Sequence, residues 1–300
     1  MTPPVPPATL WTETVLHNFK NGNDGCRPDA SLIFDSSGAL YGTTAGGGIN
    51  GGNGTVFTLM PPAPPATKWT ETVLYSFMGG NDGRDPVAGL IFNSNGVLYG
   101  TTQLGGTGIC STPPTKDICG TVFKLKPPVP PATNWTEKVL YSFQGGSDGY
   151  MPMAGLILNS NGALFGTTQL GGGPANSGTV FKLKPPVPPA TTWTEKVLYS
   201  FKGGSDGAQP FAGLIFDSHG ALYGTTGFGG GLPDAGTVFK LTPPVPPATL
   251  WTETVLHSFP GGFGLHQPLA GLIFDTKGAL YGTTIEGGTS NEGTVFKVTP

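Results

Sequence analysis

Asp24, Asp82, Asp148 and Asp206 each precede glycine in one recurring phrase, Asn-Asp-Gly or Ser-Asp-Gly. Carboxylates repeated on one surface could anchor the hydroxyls of a glycan or supply oxygen ligands to a hard cation. The same dipeptide is also turn chemistry, with the Asp side chain bonding its own backbone. The fifth phrase reads Phe263-Gly264 instead, which would leave a ring-wide metal site incomplete, so no metal is expected. Five threonine pairs (43–44, 101–102, 167–168, 225–226 and 283–284) end a strand on the same face. Thr44, Thr102, Thr168, Thr226 and Thr284 are therefore candidate hydroxyl ligands, although β-propensity alone would place threonine there. Gln103 and Gln169 follow two of the pairs and complete the candidate ligand-binding set, with Ala45, Gly227 and Ile285 in the other copies.

Catalysis finds less support. His17 and His257 fall on an outer strand, His219 in a hairpin, and His266 alone on the face that carries the aspartates. A Ser–His–Asp set needs one copy to differ from the rest, and only His266 and Glu286 set the fifth apart. Glycoside cleavage needs two acids across one cleft, which the Asp series could supply only by breaking its symmetry. No catalytic residue and no cofactor are expected.

Two cysteines, Cys110 and Cys119, bracket an insertion in the second copy, and a disulfide closing that loop is expected, which suits an oxidising compartment. Cys26 is the odd one out. Charged residues make up 11% of the chain and the net charge is −3, with 15 scattered Lys and Arg. That distribution argues against nucleic acid and anionic membrane as partners. No apolar run approaches the ~20 residues that span a bilayer. The opening Met1-Thr2-Pro3-Pro4-Val5 lacks the regions of a signal peptide, so the expectation is a mature extracellular or cell-surface form without its leader.

The elements that position these residues are repeats. Trp11, Trp69, Trp135, Trp193 and Trp251 open five near-copies spaced 58, 66, 58 and 58 residues apart, and residues 2–17 recur unchanged at 242–257. The second copy carries the insertion, within 107–119. Each copy holds four short β-branched and aromatic runs, for example Ala212-Gly-Leu-Ile-Phe-Asp217, Ala221-Leu-Tyr-Gly-Thr-Thr226, Gly236-Thr-Val-Phe-Lys-Leu241 and the segment from Trp251 to Phe259. Turns too short for a crossover helix join them, so each copy is an antiparallel meander. The 50 glycines and 31 prolines punctuate these runs rather than dilute them. Five such units predict an all-β fold, a five-bladed β-propeller in one domain over 1–300. Leu32, Ile33, Phe34, Val56, Phe57, Leu90, Ile91, Phe92, Val122, Phe123 and their counterparts should form the inter-blade core. Thr299-Pro300 matches Thr242-Pro243, so the N-terminal Trp strand is expected to complete the last blade and close the ring. The same complementarity between molecules would give a strand-swapped oligomer or fibre instead of a monomer.

The runs Ala-Gly-Leu-Ile-Phe-Asp-Ser-x-Gly-Ala-Leu-Tyr-Gly-Thr-Thr, Gly-Gly and Gly-Thr-Val-Phe-Lys-Leu resemble the GloVer tandem repeat of secreted, surface-anchored "choice-of-anchor" bacterial proteins. More loosely, they are similar to NHL-type propellers. The resemblance covers the chain and implies a propeller in an extracytoplasmic setting. The expected function is a non-enzymatic binding or scaffold module, with a glycan as ligand. A purely structural or fibre-forming protein and a polysaccharide hydrolase or lyase are the alternatives.

Overall fold

The computed structural model describes residues 10–110, 119–231, 234–260 and 266–299. Within them the chain forms nineteen strands and one short 3₁₀ turn, Gly80–Asp82. The first sheet holds β1 (Ile33–Phe34), β2 (Leu40–Thr44), β3 (Thr55–Met60) and β4 (Thr70–Ser76). The second holds β5 (Ile91–Phe92), β6 (Leu98–Thr102), β7 (Thr121–Lys126) and β8 (Thr136–Ser142). The third holds β9 (Ile157–Leu158), β10 (Leu164–Thr168), β11 (Thr179–Lys184) and β12 (Thr194–Ser200). The fourth holds β13 (Ile215–Phe216), β14 (Leu222–Thr226), β15 (Thr237–Thr242) and β16 (Thr252–Ser258), and the fifth β17 (Ile273–Phe274), β18 (Leu280–Thr284) and β19 (Thr294–Val298). Each sheet is an antiparallel meander in chain order, and the whole is all-β and propeller-like.

Local chemistry explains the hairpins. In the loop before β6, Asn93 Oδ1 accepts hydrogen bonds from the backbone of Asn95 (2.9 Å) and Val97 (3.0 Å), while the backbone turns at Gly96, φ 72°. Asn95 itself keeps a negative φ. The Asn-Gly dipeptide therefore supplies one left-handed residue, with a side chain in the Asn93 position bracing the turn, rather than the two of a tight two-residue hairpin.

Sheets pack against their neighbours in sequence through cores that combine expected residues, such as Val56, Leu90 and Phe123, with Phe77 and Leu98, which the sequence did not single out. Val56, Phe77, Leu90, Leu98 and Phe123 join the first and second sheets. The same positions recur between second and third, third and fourth, and fourth and fifth. At every junction a phenylalanine just past the fourth strand meets the third strand of the next sheet edge-on, as Phe77 does on Phe123 and Phe201 on Phe239, both at 5.1 Å between ring centres. Phe259 does the same on Phe296. The first threonine of each pair adds a hydrogen bond across the junction: Thr43, Thr101, Thr167 and Thr225 donate to the carbonyls of Ala88, Ala154, Ala212 and Ala270.

Closure of the ring is where the structure departs from expectation. The fifth sheet has three strands, and among the described residues the N-terminal segment belongs to none of the five sheets. That segment instead lies on the first sheet, with Leu16 and Phe19 packed against its core and Phe19 edge-on to Phe57 at 5.1 Å. Among the described residues no core cluster joins the fifth sheet to the first. Val295 is consequently 81% exposed and Ile273 68% exposed, whereas Val56, Val122, Val180 and Val238 are fully buried. On the facing side Leu32 is 46% and Phe34 67% exposed, so these two expected core residues are corrected to surface ones. The physical reason is the missing neighbour: Phe92 and Phe274, the counterparts of Phe34, meet Tyr41 and Tyr223 of the preceding sheet edge-on.

Candidate functional site

The turn that follows each fourth strand and the Gly-rich loop that follows each second strand meet at one end of the sheets, as their connectivity requires. Arg84 and Leu104 form a two-way backbone bridge there, as do Tyr150 and Leu170, and Ala208 and Phe228. The second threonine of each pair fastens this junction. Thr102 Oγ1 lies 2.8 Å from Thr121 Oγ1, donates to the Leu104 carbonyl at 3.0 Å and accepts the Thr121 N–H at 3.2 Å. Thr44, Thr168, Thr226 and Thr284 repeat the pattern. All five are buried, four of them completely, so their hydroxyls are spent on the fold and cannot face a ligand. The expected hydroxyl-lined mouth is replaced by an internal staple. Gln169 bonds Gln209 of the next sheet at 3.2 Å, and Gln103 is half-buried one residue past Thr102.

The glycine of each Asp-Gly lies against this staple. At Gly207, φ 98°, an added Cβ would collide with Thr226 Oγ1. The aspartates before these glycines brace the turn. Asp82 accepts the Met78 N–H at 2.7 Å and the Tyr75 hydroxyl at 2.8 Å. Asp148 and Asp206 accept the equivalent bonds from Gln144 and Tyr141, and from Lys202 and Tyr199. At Asp24 the tyrosine is replaced by His17, whose Nε2 stands 3.5 Å away. Burial pushes Asp24 up, but N–H donors from Lys20 and Gly22 outweigh it and hold the carboxyl below its ordinary value. For Asp148 burial wins, and the value rises.

Each aspartate also faces a glutamate that the sequence did not single out. Glu71, Glu137, Glu195 and Glu253 lie on the fourth strands, paired with Leu59, Leu125, Leu183 and Leu241. Their neighbours across the junction are Asp24, Asp82, Asp148 and Asp206. In all four, Oε1 is shielded from solvent and has no hydrogen-bond partner. Burial, reinforced by the neighbouring carboxylate, pushes Glu137 up to about 8 and Glu195 and Glu253 to about 7. Glu71 rises as well, with His17 opposing. For Glu137, Glu195 and Glu253 the shift favours the protonated glutamate beside its aspartate.

One pair opens onto a cleft. A cavity of 580 Å³ between the N-terminal segment and the outer strands is lined by Asp24, Asn50, Glu71, Tyr75, Asn134 and Trp135, among others. It brings together two aromatic side chains, Tyr75 and Trp135, three amides, Asn23 among them, and two carboxyls. Cys110 and Cys119 are bonded as expected, with Cα atoms 5.3 Å apart, within the range natural disulfides occupy. Residues 111–118 of that loop, and the Phe263-Gly264 break in the Asp series, lie outside the described residues. Among the described residues no group of three or more His, Cys, Asp or Glu is placed to hold a metal, and no helix is long and apolar enough to cross a membrane.

These features define an all-β tandem-repeat protein of propeller-like sheets. The chain belongs to the Gloeobacter/Verrucomicrobia repeat family, which matches residues 5–168 and 115–300. No curated protein matches it in sequence. In fold it is similar to the crystal structure of a glucose dehydrogenase, with a TM-score of 0.50 at 16% identity over 90% of this chain and 82% of that one. A second glucose dehydrogenase structure gives a TM-score of 0.47 at 17% identity, over 90% of this chain and 80% of that one. At such identities the likeness is one of fold alone.

Proposed function

We propose that this chain is a non-enzymatic, extracellular binding or scaffold module whose ligand is a glycan. The repeat family and the propeller-like fold suit a binding or structural module, and the cleft beside Trp135 carries the finer reading. A sugar offers an apolar C–H face and a rim of hydroxyls. Trp135 and Tyr75 supply a surface for the first, and Asn50, Asn134, Asp24 and Glu71 supply donors and acceptors for the second. The Cys110–Cys119 bond supports an oxidising compartment. The acid pairs recur at sheet after sheet with the same braces, which speaks for a structural role, since a catalytic pair would be singled out from its copies.

Screening on a glycan array, followed by calorimetry on the best ligand, tests the reading. Asn134→Ala combined with Trp135→Ala should weaken binding at least tenfold while the far-ultraviolet spectrum is unchanged. An array with every signal at background removes the glycan. Turnover of any polysaccharide that is lost in Glu71→Gln overturns the non-enzymatic part.

A further inference from the structure

Six of the chain's 15 basic residues come together on two adjacent sheets. In the second sheet Lys124 of β7 stands directly opposite Lys138 of β8, and Lys126 follows two residues on, on the same face. The third sheet repeats the arrangement with Lys182, Lys196 and Lys184. These two sheets are neighbours, joined through Val122, Phe181 and Leu183. Lys126, Lys138, Lys184 and Lys196 are exposed, and Lys182 lies over the Phe165 ring with Nζ 5.0 Å from its centre. Among the described residues none of the six is in an ion pair. Glu137 and Glu195, one residue before Lys138 and Lys196, fall on the opposite face of their strands, toward Asp82 and Asp148.

The other copies show that the fold does not require these triplets. The same places hold Thr58, Met60 and Thr72 in the first sheet, and Lys240, Thr242 and Thr254 in the fourth. The residue that opens the hairpin changes with them. It is Asp35, Asp217 and Asp275 in the first, fourth and fifth sheets, but Asn93 and Asn159 in the second and third. Where three lysines gather, the acid that would offset them is gone. Like charges opposite one another on paired strands are destabilising. Burial, with the repulsion of the other two lysines in each set, holds Lys124 and Lys182 below the ordinary lysine value. A repulsion that the other copies avoid, made twice side by side, is relieved by a bound anion.

We propose that this lysine face of the second and third sheets binds an acidic polysaccharide, one that carries carboxylate or sulfate groups along its length. Two equal triplets on consecutive sheets suit a polymer whose charge recurs at regular intervals. Lysine ammonium groups are flexible point charges that hold such groups without fixing one geometry, and the planar fork of arginine is absent from all six positions. Trp193 of the third sheet stands beside the first triplet, half-buried against Tyr99, the residue paired with Lys124. Its ring offers an apolar surface to the C–H face of a sugar. Nucleic acid fits less well. A duplex carries one charge per ~1.7 Å and would meet a chain whose net charge is −3. The face is distinct from the cleft beside Trp135, which is lined by two carboxyls and, among the described residues, by no lysine. The inference therefore stands or falls separately from a sugar bound in that cleft.

The copies themselves supply the test. Lys126→Thr, Lys138→Thr, Lys184→Thr and Lys196→Thr together install the residue that Thr242 and Thr254 already hold in the fourth sheet, so the fold accommodates them. A control variant removes the same charge elsewhere on the exposed surface, by Lys20→Gln, Lys68→Gln, Lys202→Gln and Lys277→Gln. Calorimetry at low salt measures binding to polygalacturonate and to dextran sulfate. The unmodified chain and the control should bind at least one of them, and the threonine variant should bind it about tenfold or more weakly. Affinity of the unmodified chain should also fall steadily as salt is added. No binding to either polymer, an affinity indifferent to salt, or an equal loss in the two variants overturns the proposal. So does neutral dextran bound as tightly as the charged polymers, which would place the affinity in the sugar alone. An oligothymidylate bound more tightly than either polysaccharide would reassign the face to nucleic acid.

Discussion

Replacing Glu137 with glutamine should make the protein more stable at pH 8.5 and leave it unchanged at pH 5. Burial and the adjacent Asp82 carboxylate push Glu137 from 4.5 to about 8, so the folded protein holds this proton far more tightly than the unfolded chain. A raised carboxyl contributes stability that is complete below the unfolded value. That stability is lost as pH climbs through the folded one. At ~1.4 kcal/mol per unit, a fully sequestered group would change stability by about 5 kcal/mol across that window. Glu137 is only partly buried, and solvent screening reduces the expected loss to about 1–2 kcal/mol between pH 5 and pH 8.5. Glutamine keeps the neutral form at every pH and can donate to Asp82. Urea denaturation followed by tryptophan fluorescence at both pH values supplies the measurement. Glu195 and Glu253 titrate in the same range, so the quantity to read is the difference between variant and unmodified protein. Identical pH slopes, or a variant weaker at pH 8.5, would refute the assignment of Glu137 as a proton-holding partner of Asp82.

Two further outcomes are expected. Gly207→Ala should cost about 2–4 kcal/mol, because it combines a left-handed backbone with collision against Thr226; Gly220→Ala, at φ 81° with open space around it, should cost only about 1–2 kcal/mol by the same thermal melt. Cys110→Ser with Cys119→Ser should lower stability by about 2–3 kcal/mol in urea titration and remove the effect of reductant.

The repeat frame was open to reading because tryptophan occurs once per copy and the hydrophobic runs alternate with glycine and proline at fixed spacing. The disulfide was legible for a related reason, since Cys110 and Cys119 flank the one stretch that breaks the period. The site was read in halves. Asp82 stood out beside its glycine, but Glu137 sits two residues after a tryptophan in a strand of threonines and lysines, where it passes for a solvent-facing residue. The two acids belong to different repeats, and only the packing of one fourth strand beside the next brings them together. A signal was present: a glutamate holds that place in all five copies, Glu13 included, while the residue after it varies between Thr and Lys. The threonines misled in the opposite direction, because nothing within a repeat shows that the hydroxyl of Thr102 turns inward onto Thr121.

Phe77, Phe143, Phe201 and Phe259 follow strands hydrogen-bonded to one sheet while their rings are lodged in the next. No sheet therefore owns all of its own interior, and none can loosen without uncovering a neighbour. Cohesion of this kind passes from link to link like tension along a chain, so the middle sheets, held from both sides, are the last to let go and the two outer ones the first.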